Sequence, residues 1–293
     1  MSEDRREFWI MPRLGLCNRM QALLSAVAYS EHEDRELVIC WCRGRVRRSR
    51  KPSWAWGSWS NSSIGDRCSV RLTDLWRHPY REVSAPIWLE TAGLPDARMY
   101  YTDENPPEHG AEERIAMVSG GNSFCGTGLA NPAEYLSRFE LHPELREWYE
   151  CEAVECISES TVGVSVRSVY AWCPPDFEWF FARMHEFLAQ DPETQFFLSA
   201  DSQAAELCFY REFGRRIRRQ SRQFPYGSAM AMKKAVVDLY LLGGTRHILG
   251  SAGSSFSRMA WRISRCCDPG VPFETPEIPA WKNAAPAIAT GDM

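Results

Sequence analysis

Ile248–Trp261 reads ILGSAGSSFSRMAW. Two aliphatic residues run into a series of positions with almost no side-chain volume, and an amphipathic segment follows at once. Such a strand–turn–helix has two readings. Glycine can supply a turn and serine a helix cap with no ligand involved. The same small residues also let an anion approach the main chain at a helix N-terminus, where free N–H groups and the positive dipole end favour negative charge. The neighbouring sequence has to decide.

Upstream of this stretch the chain alternates. TVGVSVRS (Thr161–Ser168) is β-branched and alternating, as a strand is. DFEWFFARMHEFLAQ (Asp176–Gln190) predicts an amphipathic helix with Asp176 as N-cap. TQFFLSAD is a strand, SQAAELCFYREF a helix opened by Ser202, and a basic strand or loop follows. AMAMKKAVVDLYLLGG predicts a helix stopped by a Gly243-Gly244 C-cap. HILGSAG is then a strand and turn, and SSFSRMAWRIS a helix. This order predicts a Rossmann-like domain over residues 156–265. The Pro- and Ala-rich tail, 266–293, reads either as loosely ordered or as a strap back across the first domain.

The N-terminal part shows the same grammar once. FWIM (Phe8–Met11) is a short buried strand, RMQALLSAVAYS (Arg19–Ser30) a helix and LVICW (Leu37–Trp41) a second strand. That predicts a first Rossmann-like domain over 1–155, giving an α/β protein with two such domains facing a cleft. Lys51–Asp66 (KPSWAWGSWSNSSIGD) fits neither period; its tryptophans could wall a sugar or acceptor cleft or pack a loop onto its own domain. Pro106, Pro107 and Gly110 mark another irregular segment, and HPELREWYE (His142–Glu150) reads as a short helix.

Among 293 residues, 44% are hydrophobic and 25% charged, and the formal net charge is -4. This is the balance of a soluble globular protein and excludes a general nucleic-acid binder. Two basic runs, Cys42–Lys51 and Arg215–Arg222, read as solvated loops or edge strands before phosphate contacts. MSEDRREFWI shows no secretory leader, and no window is long and apolar enough for a membrane span. Eleven cysteines lie scattered without a CxxC pair, which fits reduced thiols in a cytoplasm. The six histidines (His32, His78, His109, His142, His185 and His247) form no ligand-spaced cluster, so no metal site is expected.

Several segments together resemble the fucosyltransferase superfamily with the GT-B fold, which includes bacterial α-1,6-fucosyltransferases and protein O-fucosyltransferases. The loop Gly15-Leu16-Cys17-Asn18-Arg19 is similar to the family's G-x-G-N-R, and Ser165-Val166-Arg167 to its H-x-R. Phe197-Leu198-Ser199-Ala200-Asp201 is similar to its F-L-A-T-D strand, and Ala235–Leu242 to its A-x-x-D-L-x-L-L helix. The opening stretch is similar to its Ser-Ser-bearing strand–helix turn. The resemblance covers the first 30 residues and Val162–Trp261, and is weak or absent between 45 and 155. It implies that Arg167 grips the β-phosphate of a nucleotide sugar and stabilises the leaving diphosphate. Ser254 and Ser255, with Gly253 and Phe256 of the same turn, would hold that phosphate, and Asp238 would read a guanine edge. Asn18 and Gly15 would lie near the sugar and pyrophosphate, and Asp201 close to the nucleotide. It further implies no cofactor and no divalent metal. Two positions depart from the family: Ser165 stands for its histidine and Cys17 for its second glycine.

Each assignment has a plainer alternative. Asp238 could cap a neighbouring loop, Arg167 could pair with an acidic neighbour, and Asn18 could merely cap the first helix. Cys17 has no visible histidine partner and is not read as a nucleophile. The expected activity is an inverting, metal-independent glycosyltransferase that moves fucose from GDP-fucose to a hydroxyl of a glycan, small molecule or peptide. The alternatives are a transferase of another nucleotide sugar and a catalytically silent binding protein on the same fold. A dinucleotide oxidoreductase fits less well, since GLCNRM lacks the G-x-G-x-x-G spacing.

Overall fold

The computed structural model describes residues 6–41, 70–84, 97–101, 114–119, 132–168, 176–225 and 227–277. The tryptophan-rich stretch, the first basic run and the Pro106–Gly110 segment lie outside the described residues.

The chain forms two compact units. The first holds Met1–Glu150 and Arg222–Val237, the second Cys151–Ser221 and Asp238–Met293. The expected boundary at 155/156 lies close to Glu150/Cys151, and within the expected second domain, 156–265, Arg222–Val237 groups with the first unit. No local pattern announces such a return, because it is a property of contacts distant in sequence.

In the first unit, β1 (Glu7–Pro12), α1 (Leu16–His32) and β2 (Glu36–Cys40) form the expected strand–helix–strand. Two-residue β3 (Trp76–Arg77), β4 (Arg81–Val83), β5 (Ala97–Tyr101), β6 (Arg114–Ser119) and β7 (Glu140–Leu141) follow, then the first part of α2 (Pro143–Cys156), up to Glu150. The sheet order is β4-β2-β1-β6-β5 with every pairing parallel; β3 and β7 pair antiparallel apart from it. All six residues of β1 are buried, as befits a central strand of a parallel sheet. The chain reverses its direction of growth between β1 and β6, and the β1–α1 turn carrying Gly15 and Asn18 lies at that crossing.

The second unit comprises β8 (Thr161–Val166), α3 (Phe177–Gln190), β9 (Gln195–Ala200), α4 (Gln203–Phe213), β10 (Ile217–Arg218), the end of α5 (Ala229–Gly243), β11 (His247–Gly250), α6 (Ser255–Cys267) and β12 (Phe273–Glu274). Its sheet runs β10-β9-β8-β11-β12, all parallel. That is the doubly wound order, with the switch point between β8 and β11. Val162, Val164 and Val166 of β8 pack with Phe196 and Leu198 of β9, Phe180 and Met184 of α3, and Phe209 and Phe213 of α4. Asp176 and Ser202 cap their helices as the sequence predicts, accepting from Trp179 N–H and Ala205 N–H.

Two expectations change here. In the described start of the C-terminal tail, Phe273 and Glu274 form the edge strand beside β11, and the rest of the tail, 278–293, lies outside the described residues. Trp261 stacks on Phe273 with ring centroids 5.5 Å apart, and Arg183 binds Glu274 through two nitrogens at 2.8 Å. The Gly243-Gly244 pair does end α5, but neither glycine has the positive φ of a left-handed cap. A Cβ on Gly243 would instead stand 3.0 Å from Ile263 Cγ2 and 3.3 Å from the Ala260 carbonyl. The glycine lets the end of α5 lie against α6.

Candidate functional site

At the switch point, the end of β8 is fastened by both of its neighbours. Toward β11, the Arg167 N–H donates to Ser251 Oγ at 2.8 Å, and Ser251 N–H and Oγ donate to the Ser165 carbonyl at 3.1 and 3.3 Å. Toward β9, Ser168 N–H and Ser168 Oγ both donate to Asp201 Oδ1 at 2.7 Å. The Arg167 backbone is therefore held from two sides.

Its side chain is 46% exposed, and Nε lies 3.5 Å from Asp201 Oδ2. At that separation this is an ion pair rather than a tight hydrogen bond. Nη1 and Nη2, the fork that suits a phosphate, have no acceptor among the described residues. The acidic partner foreseen as the plainer alternative is thus present, yet it engages only the inner nitrogen.

The opening stretch resolves into separate jobs. Gly250 is packing: an added Cβ would meet Ser257 Cβ at 2.6 Å. Gly253 takes φ +69, a conformation costly for residues with a Cβ. Ser254 is the N-cap of α6, its side chain accepting from Ser257 N–H at 3.3 Å. The N–H groups of Ser255 and Phe256, in the first turn, have no acceptor among the described residues. They are two of the orphan donors that make a helix start attractive to an anion. The turn-and-cap reading is met by Gly253 and Ser254.

Ser165, in the place of the family's histidine, is 3% exposed and accepts from Ser257 Oγ at 3.0 Å. Its side chain ties the end of β8 to α6. Asp238 is also buried: Oδ2 accepts from Ser199 Oγ at 3.0 Å and Oδ1 from Gln220 Nε2. Sequence reasoning missed Gln220, which sits inside a basic run and carries no motif. These bonds tie β9, the segment after β10 and α5 together.

In the first unit, Gly15 is the N-cap of α1, with no side-chain cap bond. Asn18 lies within the first turn, half-buried, and Cys17 is buried at 3% exposed. The residue that organises this turn is Arg19. It is 2% exposed, donates from Nε to the Leu14 carbonyl at 3.0 Å and lies 5.1 Å from the centroid of the Trp41 ring. Leu14 takes φ 70; the bond to its carbonyl fastens a strained turn.

The second basic run is engaged by its own fold. Arg219 pairs with Glu206 at 2.7 Å, and Arg222 lies 4.9 Å from the centroid of the Trp148 ring. Among the described residues no cluster of His, Cys, Asp or Glu could hold a metal ion, and no helix is long and apolar enough to cross a membrane.

No protein-family model and no curated protein sequence matches the chain. Solved structures do. A NodZ α-1,6-fucosyltransferase soaked with GDP-fucose superposes with TM-score 0.58 at 16% identity, covering 88% of this chain and 93% of the other. NodZ from Bradyrhizobium gives 0.57 at 17%, with 87% and 92% covered. POFUT1 in complex with GDP-fucose gives 0.62 at 11%, with 95% and 100% covered. The chain has the fold of these fucosyltransferases. The α/β, GT-B-type architecture expected from the sequence resemblance is the one they share.

Proposed function

We propose that the chain is an inverting, metal-independent glycosyltransferase that uses a GDP-sugar, with GDP-fucose as donor. The observation that carries this reading is Arg167. Among the described residues its guanidinium fork has no acceptor, and its backbone is bonded to the turn that leads into the N-terminus of α6. Breaking the glycosidic bond places negative charge on the β-phosphate. A guanidinium and two helix N–H groups can receive that charge without a metal, and a preorganised donor of this kind is typically worth about 10²–10³ in rate. The acceptor hydroxyl, from a glycan, small molecule or peptide, would attack the sugar from the face opposite the leaving diphosphate, hence inversion. Gly15 and Asn18 would serve the sugar side of the donor. Two of the similar structures hold GDP-fucose, which supports the choice of donor. The scattered cysteines of the sequence support a cytoplasmic setting.

Calorimetric titration with GDP and with UDP tests the donor, and slow hydrolysis of GDP-fucose by the purified protein tests the chemistry. Preference for GDP with release of fucose is expected; absence of GDP binding overturns the proposal.

Asp238 favours a second reading on one point. Both its oxygens accept from protein donors, so reading a guanine edge would require Ser199 or Gln220 to let go. If base selectivity lies elsewhere, another nucleotide sugar is the donor, and UDP would compete on equal terms in the same titration.

A further inference from the structure

We propose that Asp201 is a positioning residue for Arg167 rather than a contact to the nucleotide, an inference that rests on the glycosyltransferase reading above. Asp201 directly follows β9, the strand beside β8. Its Oδ1 is occupied twice, by Ser168 N–H and Ser168 Oγ, both at 2.7 Å. Its Oδ2 faces Arg167 Nε at 3.5 Å.

The hydroxyls extend this arrangement. Ser168 Oγ also lies 2.7 Å from Ser202 Oγ. Since the Ser168 proton is directed at Asp201, Ser202 supplies the proton of that bond. Ser202 Oγ in turn accepts from Ala205 N–H at 3.2 Å as the cap of α4. The carboxylate is thereby fixed by main chain and by a capped helix, while the Asp201 N–H donates to the Val166 carbonyl at 3.3 Å.

The consequence for arginine follows from its shape. A guanidinium offers Nε on its inner edge and Nη1 and Nη2 at its tip. A carboxylate at Nε steers the plane and restrains the rotamers of a long, half-exposed side chain, leaving the tip for a diphosphate. This is preorganisation: conformational freedom is removed before the ligand arrives, so less is lost on binding. A carboxylate that met the nucleotide directly would instead repel a diphosphate.

The experiment is a double-mutant cycle on GDP affinity. Asp201→Asn keeps an amide oxygen for Ser168 N–H and removes the charge at Nε. We expect it to weaken GDP about tenfold, roughly 1.4 kcal/mol, in the otherwise native protein, and to have no further effect beside Arg167→Ala. Equal weakening in both backgrounds, or none in either, overturns the proposal. Ser168→Ala, which releases Oδ1 in part and leaves the charge, should give a smaller loss with the same dependence on Arg167; it carries the cycle if Asp201→Asn does not fold. Failure of the native protein to bind GDP would sink the glycosyltransferase reading instead. The crystal structure of Asp201→Asn decides in that case: a displaced Arg167 side chain upholds the proposal and an unmoved one overturns it.

Discussion

A Cβ placed on Gly250 would stand 2.6 Å from the Cβ of Ser257 and 2.7 Å from Cε2 of Phe273. The last residue of β11 therefore has no room for a methyl group, and α6 lies against it because of that. Gly250→Ala should lower stability by about 1–3 kcal/mol through overpacking. Gly253 makes the contrast: nothing stands within 4 Å of its added Cβ, but φ is +69. There Gly253→Ala should cost about 1–2 kcal/mol, and Gly253→Asn less, because asparagine tolerates the left-handed region. Urea denaturation of the three variants checks both.

Arg167→Ala should leave the melting temperature nearly unchanged, since the side chain is 46% exposed and its backbone bonds remain. Turnover of GDP-fucose should fall at least about 100-fold. Arg167→Lys should recover little, because an ammonium lacks the planar fork. Steady-state kinetics beside thermal melts separates the two effects.

Asp238→Ala would leave Ser199 Oγ and Gln220 Nε2 without their carboxylate in a buried setting, at a cost of about 2–4 kcal/mol. Asp238→Asn should be milder in stability. If Asp238 does read guanine, the asparagine variant loses its preference for GDP over UDP; if its role is the internal tie, the preference stays. Melting curves and competition titrations give the answer.

Glu7 should make the first unit acid-sensitive. Burial works to raise its pKa, but Trp9 Nε1, Arg81 and Arg114 together hold it below the ordinary 4.5. The three donors stand at 2.9, 2.8 and 3.0 Å. A carboxylate with a depressed folded value contributes stability above about pH 4.5 and loses it as pH falls through that depressed value. Glu7→Gln should be less stable than the native chain at pH 7 by about 1–2 kcal/mol. The gap should close in acid, which a pH series of denaturation midpoints reads directly.

His78 acts in a higher window. Burial pulls its pKa below 6.5, only partly offset by Glu82 and a backbone bond at Tyr80. Its side chain is 1% exposed. Below pH 6.5 the unfolded chain takes up a proton that the folded one refuses, so stability should fall with pH until the folded value is reached. The slope approaches about 1.4 kcal/mol per pH unit. His78→Phe should flatten this slope just below pH 6.5.

The second unit was legible from β8 to α6 because most of its strands and helices announce themselves, while the edge strand β12 does not. A β-branched run gives β8 and a short apolar run β9, and Asp176, Ser202 and Ser254 mark three helix starts at the residues where the caps occur. What escaped is what depends on partners far away in sequence. Gly243 and Gly244 look like a helix stop, but Gly243 serves a contact with Ile263. Asp238 looks like a base reader until Gln220 appears at its side. Arg19 reads as part of a motif, and its place against Trp41, the residue just after β2, is visible only in the fold. The return of Arg222–Val237 to the first unit has no sequence signature at all.

The placement of Phe273 and Glu274 beside β11 bears on synthesis. On a ribosome, β8, β9 and β10 can pair as they emerge, yet the outer backbone edge of β11 stays bare until residue 274 has been made. An unpaired edge of that kind is a template for joining other chains. Nascent protein stalled or cut short of Phe273 is therefore the species expected to aggregate, and the sheet is most in need of a chaperone until that residue has emerged.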